Sequence, residues 1–495
     1  MRKIIGIWMM LSALTLSAQR YEAENGAHQG NVSDGFVEIR DDADYAQVSF
    51  SLSSAASYDI YIGYRSPYGD KEATVTVNGL AGTVAIPQTE YSTEVKYATM
   101  NLQAGNNTIR VSAPWTWFDV DYVRIAAGSG GGGGGVTPSS GHGFYVYGTQ
   151  LLDAKNNPFV IRGTNLAYAW YKGYGFRNQI AQMRSRGANA VRIALGDGQQ
   201  YSKDGSGTIQ SIISYFEQQK MIAILDIHDA TGSNDVSALN AAVNYWKEMK
   251  SALAGHEHTV IINIANEWCG EWNSANWATG YKSAISALRQ AGIKNCLMVD
   301  ASGWGQQSAT ITFRGQEILN ADPDKNIIFS IHMYGVAGKP GVVESTIQNI
   351  QSQNLCLCIG EFGWYHSDGD VDEDAIISTC KNKKVGWCSW SWWGNGSPVQ
   401  YLDMVTDQDN GTPATQSTAG QTCNWGQKIY NAWVADGQLC TVYTDAPAQP
   451  DPVDPGGGVE SLHMTAPQPK KILHDGQVYI IRGENIYTIQ GQRIR

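Results

Sequence analysis

Charge is scarce in this sequence. Asp, Glu, Lys and Arg make up 16% of its 495 residues, and 46 acidic against 35 basic side chains leave a net charge of −11. With no basic cluster, a dedicated nucleic-acid or anionic-membrane binder is excluded. Cysteine is sparse too, eight in all and none in a CxxC pair, which excludes a disulfide scaffold and a zinc knuckle of that type. Beyond residue 16 no apolar run of about 20 residues follows, so no membrane span is expected. What is present is 42% apolar and 10% aromatic residues, 54 glycines and 16 tryptophans. That is too apolar for a disordered chain and, at roughly 150 residues per domain, suits about three folding units.

Arg2 and Lys3 precede an apolar stretch at 4–16, followed by Ser17, Ala18 and Gln19. This is the pattern of a secretory signal peptide over residues 1–19, cut after Ala18, and it predicts a secreted, extracellular protein. There cysteines can oxidise. Cys356 and Cys358 read as packed thiols on a buried strand, and Cys380 with Cys388 and Cys423 with Cys440 are the expected local bridges. Six glycines at 130–135 mark a flexible linker, 128–140, and APAQPDPVDPGGG (446–458) marks a second, 438–460. The modules are therefore 20–127, 141–437 and 461–495.

In the first module, short runs such as YDIYIGY (58–64), ATVTVNG (73–79) and NTIRVSA (107–113) alternate apolar and polar residues between turn signals. They predict an antiparallel β-sandwich of the jelly-roll kind. YEAEN (21–25) and PWTWFDVDYVRI (114–125) resemble a carbohydrate-binding module of family 35, or its relative family 6. The resemblance implies a structural calcium ion on Glu22, Glu24 and Asp121 and a sugar platform at Trp115 and Trp117.

The central module carries eight near-continuous apolar runs: 159–165, 189–195, 221–229, 259–268, 296–302, 327–334, 355–362 and 385–393. Strands buried on both faces and separated by helical stretches, in this number, predict a (β/α)8 TIM barrel. Polar residues gather at the C-terminal ends of these runs, where such a barrel builds its site: Asn165, Arg192, His228, Asn266, Glu267, His332, Tyr334, Glu361 and Trp390. Glu267 and Glu361 close the fourth and seventh runs, about three βα units apart around the ring. Two facing carboxyls among aromatics suit glycosidic bond cleavage, one protonated to donate and one ionised to attack.

NEW (266–268), HMY (332–334) and GEF (360–362), with Arg192, His228 and Trp390, resemble glycoside hydrolase family 5. DIHDATG (226–232), NEWCGEW (266–272), MVDASGWGQ (298–306) and DVDED (370–374) are similar to its bacterial endo-β-1,4-mannanases. That likeness implies a retaining double displacement with Glu267 as acid/base, Glu361 as nucleophile, carboxyls about 5 to 5.5 Å apart and no catalytic cofactor. Arg192 would hold Glu361 ionised, Tyr334 would donate to it, and Asn266 would bond the sugar 2-hydroxyl. His228 and His332 would line the floor.

Thirteen of the sixteen tryptophans fall within 141–437. Trp390 is the expected sugar platform, Trp170, Trp268, Trp272, Trp304 and Trp364 are cleft candidates, and Trp246, Trp387 and Trp433 read as core. The acids at 370–374 read as a helix start favoured by its dipole. His256, Glu257 and His258 lack metal spacing. The tail at 461–495 alternates like two or three strands and resembles a C-terminal sorting tail, which implies attachment at the cell surface. The expected partner is β-mannan, cut by a monomer. An endo-β-1,4-glucanase of the same fold and a non-catalytic glycan-binding protein are the alternatives.

Overall fold

The computed structural model describes residues 18–113, 117–127, 143–272, 276–449, 470–474, 477–482 and 485–488. Residues 1–17 of the signal peptide, Trp115, the 128–140 linker and residues 450–460 of the second linker lie outside the described residues.

Alternation in the first module resolves into two antiparallel sheets. One carries, in order, Val32–Ser33, Phe36–Ile39, Phe118–Ala127, Ala56–Ser66 and Thr89–Leu102, with Gln19–Glu22 also paired to Phe118–Ala127. The other carries Ala27–His28, Tyr45–Leu52, Gly105–Ser112, Lys71–Val77 and Leu80–Ile86. Period-two side chains including Ile60, Ile62, Val75, Val77, Ile109, Val111, Val123 and Ile125 point inward and form one buried core.

In the second module eight parallel strands close a barrel: Arg162–Leu166, Ala190–Leu195, Ile222–Ile227, Val260–Asn263, Leu297–Asp300, Ile327–Met333, Leu357–Phe362 and Gly386–Ser389. Every residue of these strands is buried, as helices on the outer face require. The N-terminal end is plugged by the hairpin Tyr145–Tyr147 and Gln150–Leu152, with Phe144, Phe159 and Ile161 filling the space beneath the strands.

Two expectations need correction. Residues 438–449 do not begin a linker but belong to the barrel's closed end. Thr441 N–H donates to Asp153 Oδ2 at 2.8 Å, and Lys155 and Asn157 donate to the Ala446 and Pro447 carbonyls at 3.1 Å each. Prolines there fix an extended path without forbidding side chain to backbone bonds. None of the eight cysteines forms a disulfide, and all are buried. Cys380 faces inward from the helix Glu373–Lys383 while Cys388 lies in the eighth strand, and burial pushes both thiols up to about 12. Cys423 sits beside Glu373 and Cys440 beside Asp153. Sequence proximity said nothing of these separate surroundings, and the thiols pack as small apolar groups.

The acids at 370–374 open a helix as expected, Asp372 Oδ1 accepting from Ala375 N–H at 2.9 Å. In a separate unit, the strands Lys470–His474, Gln477–Arg482 and Asn485–Thr488 pair in order as an antiparallel sheet. Among the described residues no helix is long and apolar enough to cross a membrane.

Candidate active site

The strand ends bring the polar residues together. Register places Asn165 beside Arg192 and His332 beside Glu361. The fourth strand stops at Asn263, and the chain turns so that Glu267 takes φ +46°, held there by its N–H donating to Asp300 Oδ2 at 2.9 Å. Two glycines make room for the His332 ring. A Cβ at Gly305 would lie 2.6 Å from its Cγ, and one at Gly360 would lie 2.3 Å from Ser330 Oγ and 3.2 Å from His332 Nε2.

Arg192, fully buried, is the hub. Its guanidinium donates to Glu361 Oε1 at 2.8 Å, Asn165 Oδ1 at 2.9 Å, Asn263 Oδ1 at 2.8 Å and Asn266 Oδ1 at 2.6 Å, and faces Asp226 at 3.3 Å and Asp300 at 3.6 Å. Only a planar five-donor fork serves so many acceptors. Tyr334 Oη donates to Glu361 Oε2 at 2.7 Å, so both oxygens of this carboxylate are engaged. His332 Nδ1 bonds Glu267 Oε1 at 2.7 Å and lies 3.5 Å from Glu361 Oε2. One oxygen of Glu267, one of Glu361 and one nitrogen of His332 all fall within 4.8 Å of one another.

Asp226 Oδ2 accepts from His228 Nδ1 at 2.7 Å, leaving Nε2 to accept from the Asn266 amide at 3.1 Å. Asn266 Nδ2 also donates to Thr231 Oγ1 at 2.9 Å. The amide expected to reach a sugar hydroxyl therefore has both hydrogens committed in the free protein.

Burial, opposed by His332, raises Glu267 above the ordinary carboxyl range. Burial likewise pushes the Tyr334 hydroxyl well up, reinforced by Glu361. Burial would lower His332, but Glu361, Asp300 and Glu267 outweigh it and lift the imidazole to about 10. Asp300 is held well below its ordinary range because His332 and Arg192 overcome the burial cost.

The His332 value lies above the ordinary value of about 6.5, so its contribution to stability is complete below that pH and is lost as pH climbs through about 10. The melting temperature should fall across this window. In Asp300→Asn the fall should begin at the same pH but level off at least about one pH unit lower, because one of the anions holding the imidazolium is gone. Identical melting profiles from pH 6 to 10 would contradict the role given to Asp300.

Aromatic rings wall the cluster. Trp390 stacks over His228 at 5.7 Å between ring centres, Trp170 meets both edge-on, and Tyr201 packs behind Trp170 at 4.8 Å. Trp390 Nε1 is anchored to Asn395 Oδ1 at 2.8 Å.

Comparison with known proteins matches residues 152–396 to the model described as Cellulase (glycosyl hydrolase family 5) and residues 12–128 to Carbohydrate binding module (family 35). A mannan endo-1,4-beta-mannosidase of Salipaludibacillus agaradhaerens is 48% identical over 310 residues, 61% of this chain and 96% of that protein. The chain belongs to glycosyl hydrolase family 5. A mannan endo-1,4-beta-mannosidase of Streptomyces lividans is 36% identical, over 70% of this chain and 86% of that one. Among solved structures, a beta-mannanase from Thermomonospora fusca aligns with TM-score 0.56 and 36% identity, over 61% of this chain and 99% of its own.

Within this family 5 barrel the tryptophans sort by burial. Trp170 and Trp304 are 40% and 47% exposed, and Trp272 is exposed beside Gly303. Trp268 and Trp364, expected at the cleft, are buried. Trp268 Nε1 donates to the Asp235 carbonyl while its ring meets Tyr281 edge-on, and Trp364 Nε1 donates to the Tyr401 carbonyl. The backbone turn at Glu267 swings the following side chain into the helix layer. Trp246, Trp387 and Trp433 are core as expected.

Asp226, Asn263 and Asp300 were not singled out in the sequence. Their signal was a charged or amide residue inside an otherwise apolar strand, as in AILDI and LMVD, where only a buried partner makes it tolerable.

In the module that matches the family 35 model, Trp117 is 53% exposed and meets Tyr68 edge-on at 5.9 Å. The expected calcium ligands do not converge. Arg20 binds Glu22 at 2.8 Å and Asp121 at 3.1 Å, and Ser92 donates to the other Asp121 oxygen. Among the described residues the only cluster with metal-like spacing is Glu267, His332 and Glu361. A guanidinium bridges two of these three acids, while Glu24 Oε2 is buried without a hydrogen-bond partner.

Proposed function

We infer that this protein is a secreted, retaining endo-β-1,4-mannanase with Glu267 as acid/base and Glu361 as nucleophile. The observation carrying this reading is the carboxylate spacing, with oxygens no more than 4.8 Å apart. That suits direct attack, whereas a water held between the carboxyls needs about 6.5 to 9.5 Å. Mannan is preferred over cellulose on the strength of the mannan endo-1,4-beta-mannosidases that match at 48% and 36% identity.

A bond lying across the pair receives the Glu267 proton on its leaving oxygen as a Glu361 oxygen attacks the anomeric carbon. Burial raises Glu267 above its ordinary value and so favours the protonated form that donates. Arg192 supplies the positive partner of the attacking carboxylate. As the ester forms, charge leaves Glu361 and its hydrogen bond from Tyr334 weakens. Glu267, now ionised and facing the cationic His332, takes a proton from water. The water attacks from the face the leaving group vacated, and the sugar keeps its β configuration. Trp390 offers the apolar floor for the reacting sugar. Family 5 chemistry runs on the two carboxylates and needs no cofactor.

The sandwich adds a second sugar contact on the same chain and raises the local concentration of the barrel at a polymer surface. The C-terminal meander serves attachment at the cell surface, and the enzyme acts as a monomer.

Reducing-end release is to be compared on linear mannan, galactomannan, glucomannan and carboxymethyl cellulose. At least about tenfold faster release from the mannans is expected, about 1.4 kcal/mol of discrimination. Faster release from the cellulose would replace the substrate and leave the mechanism standing. No release from any of the four would reject the enzyme.

A further inference from the structure

Each sheet of the sandwich ends on one side in a long edge strand, Leu80–Ile86 and Thr89–Leu102, which follow one another in the chain. Unpaired edges invite pairing with other chains unless something covers them. Here the barrel helix Ser308–Ala321 lies against Thr89–Leu102, and residues of both edge strands line the joint with it.

That helix buries Ile311, Gly315 and Ile318 on its barrel side, at the spacing of one face. Phe313 lies off that face, where an isolated barrel would show a phenyl ring to water. Instead it packs with the sandwich core, 5.6 Å from the Tyr97 ring. Tyr97 is itself fixed by its hydroxyl donating to the Val75 carbonyl at 3.2 Å. The slot exists because residue 82 is glycine. A Cβ there would lie 2.6 Å from Tyr97 Oη and 2.7 Å from the Phe313 ring. A second tie lies further along the strand, where Asn101 N–H donates to Oε1 of the buried Gln353 at 3.0 Å. Beside Phe313 runs a groove of ≈ 980 Å³ whose lining includes Thr83, Val95, Lys96, Lys282, Arg314 and Glu317.

We propose that the sandwich and the barrel are docked as one body through Phe313 in the Gly82 slot, so that the sugar platform at Tyr68 and Trp117 holds a fixed place relative to Glu267 and Glu361. The partner of the sandwich edge is this chain's own barrel helix. The two modules then have no independent reach, contrary to the expectation of a flexible linker between them.

Small-angle X-ray scattering of the intact protein over a dilution series tests this. In the wild type the sandwich and barrel should scatter as one compact body with concentration-independent dimensions. Phe313→Asp buries a charge in the slot and should extend the maximum dimension by roughly 20 Å, the span of about 15 glycine-rich residues. Gly82→Ile, which fills the slot from the other side, should do the same. Unchanged near-UV circular dichroism of the barrel's tryptophans establishes that each variant is folded. The proposal is overturned if the wild type is already as extended as the variants, if folded variants scatter like the wild type, or if compactness disappears on dilution, which would assign the edge to a second copy.

Discussion

Glu361→Ala should lower turnover on mannan by on the order of 10⁴-fold while leaving substrate affinity within a few-fold, since what is lost forms a bond only during reaction. The alanine also empties a space that Arg192 and Tyr334 still surround. Azide can enter it and attack the anomeric carbon of an activated substrate such as a dinitrophenyl β-mannobioside, giving the α-glycosyl azide. Glu267→Ala differs in kind. The ester still forms when the leaving group needs no proton, and azide then attacks that ester to give the β-glycosyl azide. Product configuration by NMR therefore assigns the two roles separately. The same azide from both variants would contradict the assignment, and near-normal turnover of Glu361→Ala would remove the nucleophile from the account.

The largest loss of stability is expected from Arg192→Leu. The guanidinium faces Glu361, Asp226 and Asp300 with no access to water. Breaking a buried ion cluster from one side leaves uncompensated charge and costs about 3 to 5 kcal/mol. Chemical unfolding should report a loss of that size. Arg192→Lys restores the charge but not the fork that serves Asn165, Asn263, Asn266 and Glu361 at once. It should regain much of the stability while turnover stays well below wild type. A lysine variant with full activity would mean that charge alone, and not the array of four hydrogen bonds, positions the nucleophile.

The barrel was legible because parallel strands buried on both faces must be nearly all apolar, so the polar residue ending each run stood out. That contrast drew attention to Arg192, Glu267, His332, Tyr334 and Glu361, which the structure brings into one cluster. The same reasoning passed over Asp226 and Asp300, since an acid inside an apolar run reads as an irregularity until its partner is known. Trp268 was misplaced because composition says which residues are aromatic and not which way a turn at positive φ sends them. Cys380 and Cys388 proved to sit in a helix and a barrel strand, and Cys423 and Cys440 in different apolar clusters. The docking of Phe313 was invisible for a related reason. A single phenylalanine on a helix and a single glycine on a distant strand carry no pattern until the fold opposes them.

A retaining double displacement on mannan by Glu267 and Glu361 fixes the anomer released first. Proton NMR of mannohexaose in the first minutes after enzyme addition, before mutarotation, tests it most directly. The account predicts that new reducing ends appear first as the β anomer, with the α anomer growing in later. An α anomer released first would show single displacement by water and would contradict the account at its base.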